Sequence, residues 1–322
     1  MTKPFLLVIT GPTAVGKTDL VLKIAESIPS EIINVDSGQF YTPLTIGTAK
    51  PDWRNEPVPH HLFDIIDTPT HFSVTEFRKR LLETATQIIS RKKLPIVVGG
   101  SAFYVKSLFF PPKPTIASTQ GVIPGEISWE RLYALDPQRA QKIHKNDSYR
   151  IGRALALWEN TGTLPSSLAP DYEPPMPFHC IILTRDKDDL YQRINERVVQ
   201  MLEQGWVNEV ENLQSTPWEE FLKTKKIIGY DVILECLKQG LVESHKDEMI
   251  ALIQKKTRQY AKRQLTFFKM LEKQIEEEIR KKPDAHGALE DKIEVVNLTL
   301  LPVDLYIRQL LPTLLLHTKN QT

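Results

Sequence analysis

Residues 11–18 read Gly-Pro-Thr-Ala-Val-Gly-Lys-Thr, a full match to G-x-x-x-x-G-K-[ST]. That pattern suits chemistry at a phosphate. Its glycines let the backbone wrap an anion, and several amides can point inward at the positive end of a following helix. Lys17 adds a mobile point charge, and the hydroxyl of Thr18 can ligate Mg²⁺. Gly11, Pro12, Thr13, Ala14, Val15, Gly16, Lys17 and Thr18 are therefore the expected phosphate-binding residues. The motif indicates a polyphosphate or pyrophosphate ligand and leaves the reaction open, because NTPases, nucleotide kinases and other transferases share it.

Two further segments carry groups suited to such a site. An apolar run ends in Asp36-Ser37-Gly38-Gln39, and in an open parallel sheet ligands bind beyond the carboxyl ends of strands. A carboxylate there can hold Mg²⁺ or take a proton from an attacking nucleophile. Another run ends in Gly99-Gly100-Ser101, where the serine can cap a helix or donate to a phosphate oxygen. His60 and His61 are adjacent, so they do not face one ion from a regular element, and a structural role is expected. Cys180 and Cys236 have no Cys or His at metal-ligand spacing and are expected to be buried thiols.

The elements that must position these groups are also readable. Phe5–Thr10 is a continuous apolar run, as in a strand buried on both faces. Lys17–Ser27 reads as a helix, Ile32–Val35 as a second strand and Leu94–Val98 as a third. A helix from Ser73 to Lys92 lies between the last two, with Ser73 and Glu76 at capping-box spacing. This alternation predicts an α/β fold, a P-loop-type parallel sheet with helices on both faces. Residues 111–125 hold four prolines and two glycines, 128–163 read as helical, and a second proline-rich loop follows. His179–Thr184 then resumes as a strand. The expected organisation is a catalytic domain of 1–112 and 178–322, with an all-helical insertion at 113–177. Further helices are expected at 188–204, 207–214, 230–239 and 246–281, with an edge strand at 295–300 and a helix at 303–316.

Bulk properties exclude several classes. The 322 residues are 41% hydrophobic and 25% charged, which excludes a fibrous or disordered chain. The formal net charge is +1, so a nucleic-acid surface must be local. No signal peptide and no 18-residue apolar run is present, and a cytoplasmic monomer with no membrane contact is expected.

Six ordered blocks, GPTAVGKT (11–18), VDSGQFY (35–41), IGTAKP (46–51), HHLFDI (60–65), VVGGSAFYVKSL (97–108) and TRQYAKRQ (257–264), resemble the tRNA dimethylallyltransferase (tRNA isopentenyltransferase) family. The resemblance implies transfer of a dimethylallyl group from dimethylallyl diphosphate to N6 of the adenosine at position 37 of tRNA, 3′ of the anticodon. The phosphate loop would hold the diphosphate, with Mg²⁺ as cofactor on Thr18. Asp36 matches the general base, and Lys17 and Ser101 complete the implied catalytic set. The implied tRNA contacts are Asp36, Ser37, Gly38, Gln39 and Ser101, then Tyr149, Arg150, Ile151, Gly152 and Arg153 in the insertion, which would meet the anticodon stem-loop. Lys226, in a segment resembling another substrate contact, is added to them. Lys255, Lys256, Arg258, Lys262 and Arg263 form a local basic stripe suited to RNA backbone, with Arg258 and Arg263 assigned to the tRNA.

The chain departs from the family pattern at Thr45, Ala102, Ser101, Asp231 and Phe267, and the 111–129 stretch is short. An adenylate isopentenyltransferase making free cytokinin would share the loop and Asp36. A small-molecule P-loop kinase would share the loop alone. A catalytically weakened RNA-binding homologue is the alternative from another class.

Overall fold

The apolar runs at 6–10, 94–99 and 178–184 are almost wholly buried, and both faces of such strands must be covered, as at the centre of a parallel sheet. The computed structural model describes residues 4–112, 126–168, 170–281 and 291–319. Its strands are β1 (Leu6–Thr10), β2 (Ser30–Asn34), β3 (His60–His61), β4 (Leu94–Gly99), β5 (Phe178–Thr184) and β6 (Lys292–Asn297). They lie in the order β3-β2-β4-β1-β5-β6. Every pairing is parallel. All five residues of β1 are buried. The carboxyl ends of β1, β2 and β4 are neighbours, so the loops that follow them share one crevice.

Two compact units divide the chain, Met1–Phe109 with Pro174–Thr322, and Phe110–Glu173. The first contains α1 (Lys17–Ser27), α2 (Val74–Ser90) and α3 (Ala102–Phe109). The second contains α4 (Trp129–Leu135), α5 (Pro137–Ala140) and α6 (Ser148–Thr161). The chain then returns to the first unit with α7 (Lys187–Glu203), α8 (Trp206–Glu211), α9 (Pro217–Lys225), α10 (Tyr230–Gln239), α11 (Lys246–Lys281) and α12 (Val303–Lys319). Among the described residues no helix is long and apolar enough to cross a membrane.

Several expectations need correction. The expected third strand is the fourth, because the two-residue β3 precedes it. The helical stretch 128–163 is three helices. Pro137 occupies the first turn of α5 with Asp136 as its cap, and Asp147 caps α6 by accepting from the Arg150 amide at 3.0 Å. Ser73 caps α2 as expected, but the Glu76 carboxylate turns to Arg80 rather than completing a capping box. Helix α9 was not anticipated, whereas the helix expected after Ser101 is α3. Cys180 is buried, whereas Cys236 is half-buried. The proline-rich 113–125 stretch lies outside the described residues.

The core of the larger unit wraps β1 and α1, and it takes in Tyr306, Leu310 and Leu314 of α12. The smaller unit has its own core of Leu132, Ala140, Ile143, Ile151, Ala154 and Leu155.

One buried ion cluster ties β2, β3 and the end of α2 together. Glu31, 3% exposed, accepts from Arg91 at 3.0 and 2.6 Å and from His61 at 2.7 Å, and it pairs with Lys93 at 3.0 Å. Burial alone would raise the Glu31 pKa, but hydrogen bonds from Arg91, His61 and Lys93 outweigh it and hold the carboxyl at about 2. This stability is present above the ordinary carboxylate pKa and is lost as pH falls through the native value. Glu31→Gln keeps the shape and removes the charge, so it should destabilise the protein at pH 7 by roughly 1–3 kcal/mol. In thermal melts the gap to wild type should close as pH falls from 4.5 toward about 2. A gap that persists in acid would assign the loss to packing.

Candidate active site

The turn from β1 to α1 is the phosphate loop, and its path leaves little room for substitution. Gly11 has φ 145°, and a Cβ there would lie 2.4 Å from the Leu183 carbonyl oxygen. Ala14 adopts φ 62°, left-handed without being glycine. The Lys17 ammonium donates to the carbonyls of Gly11 (3.1 Å) and Pro12 (2.8 Å). Removal from water lowers the Lys17 pKa to about 8; the charge of Asp36 opposes that shift and the charge of Arg197 adds to it.

Groups outside the loop set its orientation. Arg185, just before α7, donates to the Val15 carbonyl at 2.8 Å, and Arg193 donates to the Ala14 carbonyl at 3.0 Å. In a trans peptide unit the C=O and N–H point oppositely. Drawing these carbonyls toward α7 therefore turns the amides of Val15 and Gly16 the other way, as anion binding needs. Arg197 donates to the Thr13 hydroxyl at 3.3 Å. Gln264 of α11 accepts from the Thr13 amide at 3.0 Å and donates to the Gly100 carbonyl at 2.7 Å, joining the loop to the end of β4. None of these four residues was anticipated as a site residue. Arg185, Arg193 and Arg197 share a four-residue spacing with Asp189, which accepts from Arg185 at 2.8 Å, and that spacing was the available signal.

Asp36 follows β2 and stands beside this charge. Its Oδ1 accepts from the Gly38 amide at 3.3 Å. Its backbone amide donates to Asn34 Oδ1 at 2.8 Å. Ser101 accepts from the Ser37 amide at 2.8 Å and donates to the Ser37 hydroxyl at 3.0 Å, so it fixes Asp36's neighbour. Gln39 donates to the carbonyls of Thr48 (3.1 Å) and Ala49 (3.2 Å). Two cavities, of about 470 and 410 Å³, share Thr13, Ala14, Asp36, Thr48, Ala49 and Arg197. The first adds the rest of the phosphate loop from Val15 to Thr18. The second runs past Tyr104, Trp206, Ile227, Ile228 and Tyr260. Burial and the nearby charge of Asp36 push the Tyr260 phenol above its usual pKa, so it stays protonated.

The expected RNA residues separate by orientation. On α6, Tyr149 is 69% exposed and Arg150 and Arg153 are exposed, whereas Ile151 and Gly152 are buried in that unit. Ile151 packs in the unit's core, so its side chain is not presented. Along α11, Lys255, Lys262 and Arg263 are exposed. Lys256 pairs with Asp231 at 2.6 Å, and Arg258 donates to Asn195 at 2.6 Å with its guanidinium over Tyr191. The stripe is therefore partly internal, and Asp231, a departure in sequence, has a local partner. Lys226 is exposed in a left-handed conformation at the end of α9. His60 and His61 bond to Val58 and Glu31, in keeping with a structural role, although His60 also borders the first cavity.

Comparisons with known proteins agree with this arrangement. The family described as IPP transferase matches residues 39–271, a span that begins after the phosphate loop. A tRNA dimethylallyltransferase of Thermotoga neapolitana is 38% identical over 281 residues, covering 84% of this chain and 91% of that protein. Another, of Carboxydothermus hydrogenoformans, is 40% identical over 280 residues, covering 82% and 88%. The crystal structure of a tRNA isopentenylpyrophosphate transferase from Bacillus halodurans superposes with TM-score 0.64 at 28% identity, covering 99% of this chain and 98% of that one. A eukaryotic dimethylallyltransferase acting on tRNA gives TM-score 0.72 at 26% identity, covering 95% and 77%. A match over most of the chain, joined to an intact phosphate loop and Asp36, places this chain in the IPP transferase family.

Proposed function

We propose that the protein transfers a dimethylallyl group from dimethylallyl diphosphate to N6 of the tRNA adenosine just 3′ of the anticodon. The observation that carries this reading is Asp36, which stands where a cavity containing the phosphate loop meets one lined by aromatic and apolar side chains. In the reaction, N6 attacks C1 of the allylic chain and the bond from C1 to the diphosphate oxygen breaks. The N6 proton passes to the Asp36 carboxylate, because an amine conjugated to a purine is a weak nucleophile that gains from a positioned base. The departing negative charge is met by Lys17, the loop amides and Arg197, which need no reorganisation at that moment. Ser101 acts by holding Ser37, and so the segment that carries Asp36.

Magnesium, when bound, would neutralise part of the diphosphate charge. Thr18 offers a hydroxyl oxygen at the first cavity, a donor suited to this cation. Among the described residues no cluster of three or more His, Cys, Asp or Glu side chains is present, so substrate oxygens and water would supply most ligands.

The acceptor base must leave its stack in the anticodon loop to be reached. Tyr149, Arg150 and Arg153, exposed together on α6, supply a ring and two guanidinium groups for the anticodon stem-loop. This surface favours tRNA over a free adenylate as acceptor. The working unit is proposed to be a monomer.

Protein incubated with Mg²⁺, labelled dimethylallyl diphosphate and either tRNA or AMP should label the tRNA. Asp36→Asn should lower that transfer by roughly 10²–10⁴-fold with tRNA affinity little changed. Preferential labelling of AMP would favour the adenylate enzyme, and ATP hydrolysis without prenyl transfer would favour a kinase. Replacing Arg150 and Arg153 together by Ala should weaken tRNA binding and flatten its salt dependence by about 0.7–0.9 per lost phosphate contact. Dimethylallyl diphosphate binding should be unaffected. Unchanged tRNA affinity across a salt titration would remove these arginines from the interface.

A further inference from the structure

Outside the chemistry so far derived, one carboxylate gathers four donors. Glu209 on α8 accepts from the successive amides of Thr45 (3.0 Å), Ile46 (2.7 Å) and Gly47 (3.1 Å), and from the Tyr230 hydroxyl at 2.6 Å. Three consecutive amides turned to one point form an anion nest, and here the protein supplies the anion itself. Hydrogen bonds to an ionised acceptor are roughly twice as strong as neutral ones, so the loop is firmly anchored. Burial and the adjacent Glu209 charge push the Tyr230 phenol far above its usual pKa, which keeps it a donor.

The other side of the loop is walled. A Cβ on Gly47 would lie 2.1 Å from Trp206 Nε1, and Trp206 is 1% exposed. Anchor and wall together leave the next two residues, Thr48 and Ala49, little freedom. Both border the two cavities. The Ala49 carbonyl accepts from Gln39 at 3.2 Å and from Arg197 at 3.5 Å, and the Thr48 carbonyl accepts from Gln39 at 3.1 Å.

On the functional reading given above, we infer that Glu209 is a positioning residue for the prenyl transfer. It sets the 45–49 loop and, through the carbonyls of Thr48 and Ala49, the Gln39 amide and the Arg197 guanidinium at the junction where the two substrates meet. It touches neither substrate.

The test compares wild type, Glu209→Gln and Tyr230→Phe in steady-state transfer from dimethylallyl diphosphate to tRNA. The glutamine has one acceptor oxygen in place of two and cannot receive all three amides. A misplacement on the order of 1 Å can lower a rate by about 10²-fold, so kcat should fall by roughly 10–100-fold. KM for dimethylallyl diphosphate should rise by about 5-fold or more, while tRNA Kd stays within about 2-fold. Tyr230→Phe removes only the fourth donor and should raise the same KM by a smaller factor. A merely structural role would reduce the active fraction, lowering apparent kcat with both KM values unchanged, and that result would overturn the inference. If Glu209→Gln does not accumulate as folded protein, Tyr230→Phe decides by the same KM criterion. Wild-type protein that transfers nothing to tRNA would overturn the functional reading and this inference with it. Transfer by wild type with unshifted KM in the variants would overturn the role of Glu209 alone.

Discussion

A phosphate loop works only if its amides face the ligand and its carbonyls do not, and a short loop cannot hold that state by itself. Here the carbonyls of Ala14 and Val15 are drawn away by Arg193 and Arg185, and the Thr13 amide is held by Gln264. The loop is thus braced from α7 and α11, two helices far along the chain. Placing these helices is the task of the parallel sheet: β5 feeds α7, and the long α11 lies against α7 and α3. The two arginine tethers are charge-assisted and the Gln264 side chain is itself buried, so each matters more than an equivalent contact in water.

The bracing has an electrostatic consequence. It concentrates Lys17, Arg193 and Arg197 around one cavity, where withdrawal from water and the neighbouring cations disfavour the charged forms of Lys17 and Arg197. Asp36 is the compensating charge; it supports protonation of both Lys17 and Arg197. The carboxylate proposed to take the N6 proton therefore also stabilises the cations proposed to meet the diphosphate. A diphosphate brings further negative charge into this cavity and relieves the repulsion, so ligand and site are complementary in sign as well as shape.

Much of this was legible in the sequence where the signal is local. The phosphate loop follows from eight adjacent residues, its strand and helix from the segments on either side, and Asp36 from its place after an apolar run. The insertion is visible in two proline-rich seams, but a continuous helical reading of 128–163 passes over Asp136-Pro137, where a capping aspartate and a first-turn proline start a new helix. A two-residue strand such as β3 has no periodicity to detect. Helix α9 did carry a signal, Thr216-Pro217 at its start, with the threonine accepting from the Trp218 amide at 3.2 Å. What sequence could not convey was direction. Arg193 and Arg197 were not singled out on their helix, while Lys256 and Arg258 read as an RNA stripe, yet the first pair points into the site and the second is spent on Asp231, Asn195 and Tyr191. Gln264 sits within a quoted motif, but a neutral amide whose partner is 251 residues away in sequence has no local signature.

Near pH 8 burial leaves Lys17 partly discharged, and a bound diphosphate should restore its full charge. Isothermal titration of dimethylallyl diphosphate into the protein, in buffers of different ionisation enthalpy, measures the protons taken up. With the Lys17 pKa at about 8 in the free protein, wild type should bind a substantial fraction of a proton at that pH. Lys17→Met should lack this uptake, and Asp36→Asn should increase it, because loss of the neighbouring carboxylate lowers the lysine further. Equal proton balance in wild type and Lys17→Met would contradict the account.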